Sequence, residues 1–70
     1  MSKWSADISN DPNADFRLYI ELCEDQEARA CVRRDPMGQL ELCVYEHQAP
    51  IRIPADFLRT ILISAERDLE

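Results

Sequence analysis

A single turn, with the two strands it implies, constrains this chain most. Asp35-Pro36-Met37-Gly38 carries the only glycine among the 70 residues. Asp suits the first position of a type I turn, Pro presets the second, and Gly at the fourth accepts positive φ. On either side, apolar residues recur at every second position. Ala28, Ala30 and Val32 alternate with Arg29, Cys31 and Arg33; Leu40, Leu42 and Val44 alternate with Glu41, Cys43 and Tyr45. Period two reads as a half-buried strand on each side. A type I turn with Gly38 as a bulge predicts one register. Val32 then faces Leu42, Ala30 faces Val44, Arg33 faces Glu41, Cys31 faces Cys43, and Asp35 faces Gln39. A slip of one residue sets Val32 against Glu41 and mixes the two faces.

A third alternating run lies upstream. Phe16, Leu18, Ile20 and Leu22 interleave with Arg17, Tyr19, Glu21 and Cys23. Glu24 to Glu27 reads as a charged turn. A three-residue loop at Glu24 to Gln26 sets Leu22 against Ala28, Ile20 against Ala30 and Glu21 against Arg29. Downstream, Pro50-Ile51-Arg52-Ile53-Pro54 reads as a short edge strand bounded by prolines. From Phe57 the apolar residues Phe57, Leu58, Ile61, Leu62, Ala65 and Leu69 follow a 3.6-residue period. Pro54 and Asp56 suit a helix start. No glycine caps its end, and Glu66, Asp68 and Glu70 oppose the dipole there, so the last turn is expected to fray.

These elements predict an α+β fold: an antiparallel sheet of three to four strands, in the order β-β-β-(β)-α, under one C-terminal helix. The helix should cover Leu18, Ile20, Val32, Leu42 and Val44. Residues 1–15 are polar and read as a flexible N-terminal arm; Trp4 and Ile8 are spaced for one helical turn. Residues 16–70 form the single α+β domain. At this length a chain buries only about 60% of its unfolded surface, so a partner would add stability.

Fourteen acidic residues against eight basic ones give a net charge of −6. That balance opposes non-specific attachment to nucleic acid or to an anionic membrane. No stretch approaches the ~20 apolar residues of a membrane span. The first fifteen residues contain no apolar core of a signal peptide, and the cysteine count is odd. Both features point to the cytoplasm.

No pattern in the chain carries a reaction mechanism. His47 is the only histidine, with no nucleophile fixed near it, and reads as a solvated loop residue. Cys23, Cys31, Cys43 and His47 make four candidate zinc ligands, but they lack paired C-x₂-C spacing. In the predicted register Cys23 and His47 lie about 13 Å from Cys31 and Cys43, at ~3.3 Å per residue. Neither a metal nor a cofactor is expected.

The outer face of the sheet is the candidate site. It collects Arg17, Tyr19, Arg29, Arg33 and Tyr45 beside three cysteines, and aromatics with arginines anchor many interfaces. The registers predict one row of Tyr19, Cys31 and Cys43, a second of Glu21, Arg29 and Tyr45, and a third of Arg17, Arg33 and Glu41. Strands followed by Ile51-Arg52-Ile53-Pro54 and a final amphipathic helix resemble, over Phe16 to Leu69, the layout of single-stranded-DNA-binding transcriptional coactivator domains. That resemblance implies a sheet face for single strands, here with the same five residues, and a helix that helps dimerisation. The residues themselves favour a small acidic binding or regulatory protein that contacts another protein. Self-association as a homodimer is also expected, because Ile63 lies off the helix's core stripe.

Overall fold

The computed structural model describes residues 2–69. Four antiparallel strands run in sequence order across one sheet: β1 (Trp4–Asp11), β2 (Arg17–Glu24), β3 (Glu27–Arg34) and β4 (Leu40–Val44). A single helix, α1 (Ala55–Asp68), follows. The α+β class stands, with the fourth strand at the opposite end of the chain from where it was expected.

Trp4–Asp11, expected within a flexible arm, is strand β1 and pairs with β2 along its whole length, from Trp4 opposite Glu24 to Asp11 opposite Arg17. Trp4, Ala6 and Ile8 share one face and alternate with Ser5, Asp7 and Ser9. The strand turns back through a 3-10 segment, Pro12–Ala14. There the Asn13 amide donates to Asp11 Oδ1 at 2.9 Å, and the Phe16 amide donates to the Asp11 carbonyl at 2.8 Å. Phe16, expected on the inner face, sits in this turn at φ 58° and is 65% exposed.

Ile51 to Ile53, expected as an edge strand, forms no strand; Ile53 packs beside the core as part of the connection to α1. Two flanking prolines remove the amide donors a ladder needs.

The β3–β4 hairpin has the predicted register: Val32 faces Leu42, Cys31 faces Cys43 and Arg33 faces Glu41. Asp35 organises its turn. Its Oδ1 accepts from the Met37 and Gln39 amides, each at 2.9 Å, and Gly38 adopts φ 85°.

The β2–β3 hairpin differs from expectation by two residues. Its turn is only Asp25-Gln26, both at positive φ (51° and 72°), which is the primed geometry that matches strand twist. The Lys3 carbonyl accepts from the Asp25 amide at 2.8 Å, and the Lys3 amide donates to Asp25 Oδ1 at 2.9 Å. The first strand therefore braces a turn that has no glycine. Glu24 consequently faces Glu27 and Cys23 faces Ala28, one residue from expectation; a bulge then adds the second, so that Leu22 faces Ala30 and Ile20 faces Val32.

The core is Ile20, Leu22, Ala30 and Val32 beneath Ile61, Ala65 and Leu69. Ala30 and Ala65 are fully buried, so small side chains let the helix approach β3 closely. Trp4 and Phe57 pack as a tilted aromatic pair, ring centroids 5.8 Å apart, at the β1 flank. A 14-residue helix is about 21 Å long and one helix wide, so it covers the middle of the sheet only. Leu18, Leu42, Val44 and Leu62, all expected beneath or along it, remain substantially exposed. The final turn, expected to fray, is held instead: Leu69 is 3% exposed and its carbonyl accepts from Arg34 Nε at 2.8 Å.

Candidate binding surface

Alternation along each strand decides which side chains reach the open face, away from the helix. Asp7, Glu21, Cys31 and Cys43 form one row across all four strands. Glu21 thus occupies the place expected for Tyr19. Extending the Ile20–Val32 register by one step brings Tyr19 beside Arg33, which pairs with Glu41.

Three of the five candidate residues converge. Arg17, Tyr19 and Arg33 line a cleft of about 250 Å³ near the β3–β4 turn, with Arg34, Asp11, Asp35 and Glu41 also in its wall. One cation is paired in place and another is held by the backbone. Arg33 Nε lies 2.8 Å from Glu41 Oε1, and Arg17 Nη1 donates to the Asp35 carbonyl at 3.4 Å. Three arginines and three carboxylates line the cleft, so its field is mixed.

Arg29 does not join this face. It is the extra residue of the β2–β3 bulge, and a bulge re-aims its side chain. Its guanidinium reaches Glu24 (3.2 Å) and Glu27 (2.9 Å), the pair next to Trp4. Glu24 is held below the usual carboxylate range by a hydrogen bond from Ser2 and then by Arg29.

Tyr45 lies on the open face but apart from the cleft. Its hydroxyl donates to Glu21 Oε2 at 3.4 Å, so the ring spans from β4 toward β2 over Cys31. This roof explains how Cys31, on a face with no helix, is only 6% exposed. Burial, then Cys31 and Glu21, push the Tyr45 hydroxyl well above its ordinary value. Burial likewise pushes up the Cys23 and Cys43 thiols, with Glu21 and Asp7 adding to the effect at Cys23. Thiols so shifted are poor nucleophiles at neutral pH.

His47 is exposed, its Nδ1 lying 3.2 Å from the Ala49 amide nitrogen. Among the described residues no three His, Cys, Asp or Glu side chains sit close enough to share a metal ion. Among the same residues no helix is long and apolar enough to cross a membrane.

Two features escaped the sequence. Arg34, which the alternation did not single out, lines the cleft and also binds carbonyls 32 and 35 residues away. The inner face beside β4 stays uncovered, and a helix flank of Ala55, Leu58, Arg59, Leu62, Ile63 and Glu66 forms a shallow groove of about 360 Å³. The length of α1 set against the width of the sheet was the available signal for the second. No family model, curated protein or solved structure matches this chain.

Proposed function

We propose that this chain is a non-catalytic binding or regulatory protein that works by contact with another protein in the reducing cytoplasm. The charge-balanced cleft of Arg17, Tyr19 and Arg33 supports this reading. An aromatic set among three arginines and three carboxylates suits a protein partner, which uses mixed charge for register. A phosphate backbone instead calls for uncompensated cations. The raised thiols and the solitary exposed His47 supply no activated nucleophile, which supports a role without catalysis.

A second reading, single-stranded nucleic-acid binding, draws on the same cleft. Tyr19 beside Arg17 and Arg33 is the stacking-plus-cation arrangement such sites use.

The deciding experiment titrates the protein with mixed-sequence single-stranded DNA and RNA at low salt, beside capture from a lysate of its source. The expected result is no nucleic-acid binding, together with a captured protein that the Tyr19→Ala, Arg33→Glu double variant fails to retain. Micromolar binding that weakens with salt, and disappears in that variant, would overturn the protein-contact reading and promote the second.

A further inference from the structure

The free edge of β4 and the apolar surface beside it belong to the same residues. The Asp35 amide donates to the Gln39 carbonyl, and the Tyr45 amide donates to the Arg29 carbonyl. Antiparallel ladders alternate, so residues 39, 41, 43 and 45 direct their backbone groups toward β3. Leu40, Leu42 and Val44 therefore turn theirs outward, where no strand pairs among the described residues. The same three residues carry their side chains on the helix side, where Leu42 is 39% and Val44 54% exposed. The opposite edge, β1, is blunted by Asp7, Asn10 and Asp11, as protected edges are. Within β4 the only charge is Glu41, already paired with Arg33.

We infer that β4 pairs antiparallel with β4 of a second copy about a two-fold axis at Leu42, making one eight-stranded sheet. The self-complementarity of the segment argues for this occupant. Centred on Leu42, the pairing sets Leu40 opposite Val44 of the second copy, Leu42 opposite Leu42, and Glu41 opposite Cys43. Leu40, Leu42 and Val44 each meet an apolar residue, and the Leu40–Val44, Leu42–Leu42 and Val44–Leu40 pairs all use outward-turned backbone. Centring on Glu41 sets two like charges opposite each other; centring on Cys43 sets Leu40 against Glu46. Both are poorer.

The helix flank agrees. Phe57 packs toward Trp4 on the β1 side, which leaves Leu58 and Leu62 on the β4 side. Across a two-fold axis the two helices run antiparallel. Ile63, 62% exposed, and Leu62 lie between Arg59 and Glu66 on this flank. The cation and anion are two turns apart, so an antiparallel copy matches each with its opposite. The present ion pairs are long, Arg59 to Asp56 at 3.5 Å and Glu66 to Arg34 at 3.8 Å, and the Arg59, Asp56 and Glu66 side chains are exposed. This interface is separate from the Arg17–Tyr19–Arg33 cleft, which stays open in the dimer.

The test is sedimentation of the full chain from micromolar to millimolar concentration at about 0.15 M salt, where repulsion between two acidic copies is screened. Amide exchange at Leu42 and Val44 is followed in parallel. The expected result is a dimer whose Leu42 and Val44 amides become protected as concentration rises. Val44→Pro removes one outward amide that the monomer does not use, and Val44→Lys adds an edge charge; both should be folded monomers by circular dichroism. A monomer throughout, free exchange at Leu42 in a dimer, or a folded Val44→Pro that still dimerises would each overturn the inference. None of these outcomes touches the cleft, whose role stands or falls on the Tyr19→Ala, Arg33→Glu variant.

Discussion

Arg34 Nε donates to the Leu69 carbonyl at 2.8 Å, joining the end of β3 to the last turn of α1 across 35 residues of sequence. The same guanidinium donates to the Gly38 carbonyl at 2.7 Å and to the Glu66 carbonyl at 3.4 Å. Helix C-termini leave carbonyls unpaired and attract cations, and Arg34 supplies both the donors and the charge. Arg34→Ala should destabilise the fold by about 1.5–3 kcal/mol, the range for hydrogen bonds to a charged group. Arg34→Lys should recover only part, since an ammonium lacks the planar fork. Urea unfolding midpoints measure both, and exchange at the Leu69 amide should rise first.

Gln26 sits at φ 72° without being glycine. A left-handed residue with a Cβ costs about 1–2 kcal/mol, part of which glycine gives back as chain entropy. Gln26→Gly should therefore stabilise by about 0.5–1 kcal/mol. Gly38→Ala, at φ 85°, should destabilise by about 1 kcal/mol although nothing lies within 4 Å of an added Cβ. Chemical denaturation of the two variants separates backbone strain from packing.

Leu22 is fully buried at the centre of the core, directly opposite Ala30. Leu22→Ala should cost about 2–5 kcal/mol, and a chain this small has little more than that to lose. A partly or wholly unfolded variant by circular dichroism is the expected outcome.

The open face sets an alkaline limit. Cys23, Cys43 and Tyr45 all hold their protons above their ordinary values of 9.0 and 10.0. Their folded pKa values are raised, so the native state binds more protons than the unfolded one once the pH passes those values. Stability from these groups is full below about pH 9 and is lost as the pH climbs through the folded values. Unfolding midpoints should be level between about pH 7 and 8.5 and fall beyond about pH 9.5. The fall should shrink in a Cys23→Ala, Cys43→Ala, Tyr45→Phe variant.

Cys31 and Cys43 face each other on adjacent strands, where Cα atoms lie about 5.5 Å apart, within disulfide reach. Treatment with diamide should join them within one chain and leave Cys23 unpaired, because the register sets Cys23 against Ala28. Peptide mapping by mass spectrometry decides it; a Cys23-containing bridge would contradict the register.

The contrast between the two central hairpins shows where the residues carry the information. Asp35, Pro36 and Gly38 each have one turn position they suit, so the β3–β4 register was legible. Asp25-Gln26 makes a two-residue turn through a bracing contact from Lys3, 22 residues away, and no local pattern announces that. Strand β1 alternates correctly, but its Asp, Asn and Ser have low strand propensity and hide it. Its order comes from pairing with β2. The site divides the same way: Arg17, Tyr19 and Arg33 followed the alternation into one cleft, while a bulge that sequence cannot place took Arg29 elsewhere.

Each strand pairs with its neighbour in sequence, so the sheet can form by successive short closures. Docking of α1 is the exception, because Trp4 meets Phe57 and Arg34 meets Leu69 only after long segments come together. Local contacts speed folding, whereas long closures add entropy that must be lost late. Refolding should therefore be fast and carried by the meander. Leu69→Ala should then accelerate unfolding while scarcely changing the refolding rate in stopped-flow chevrons.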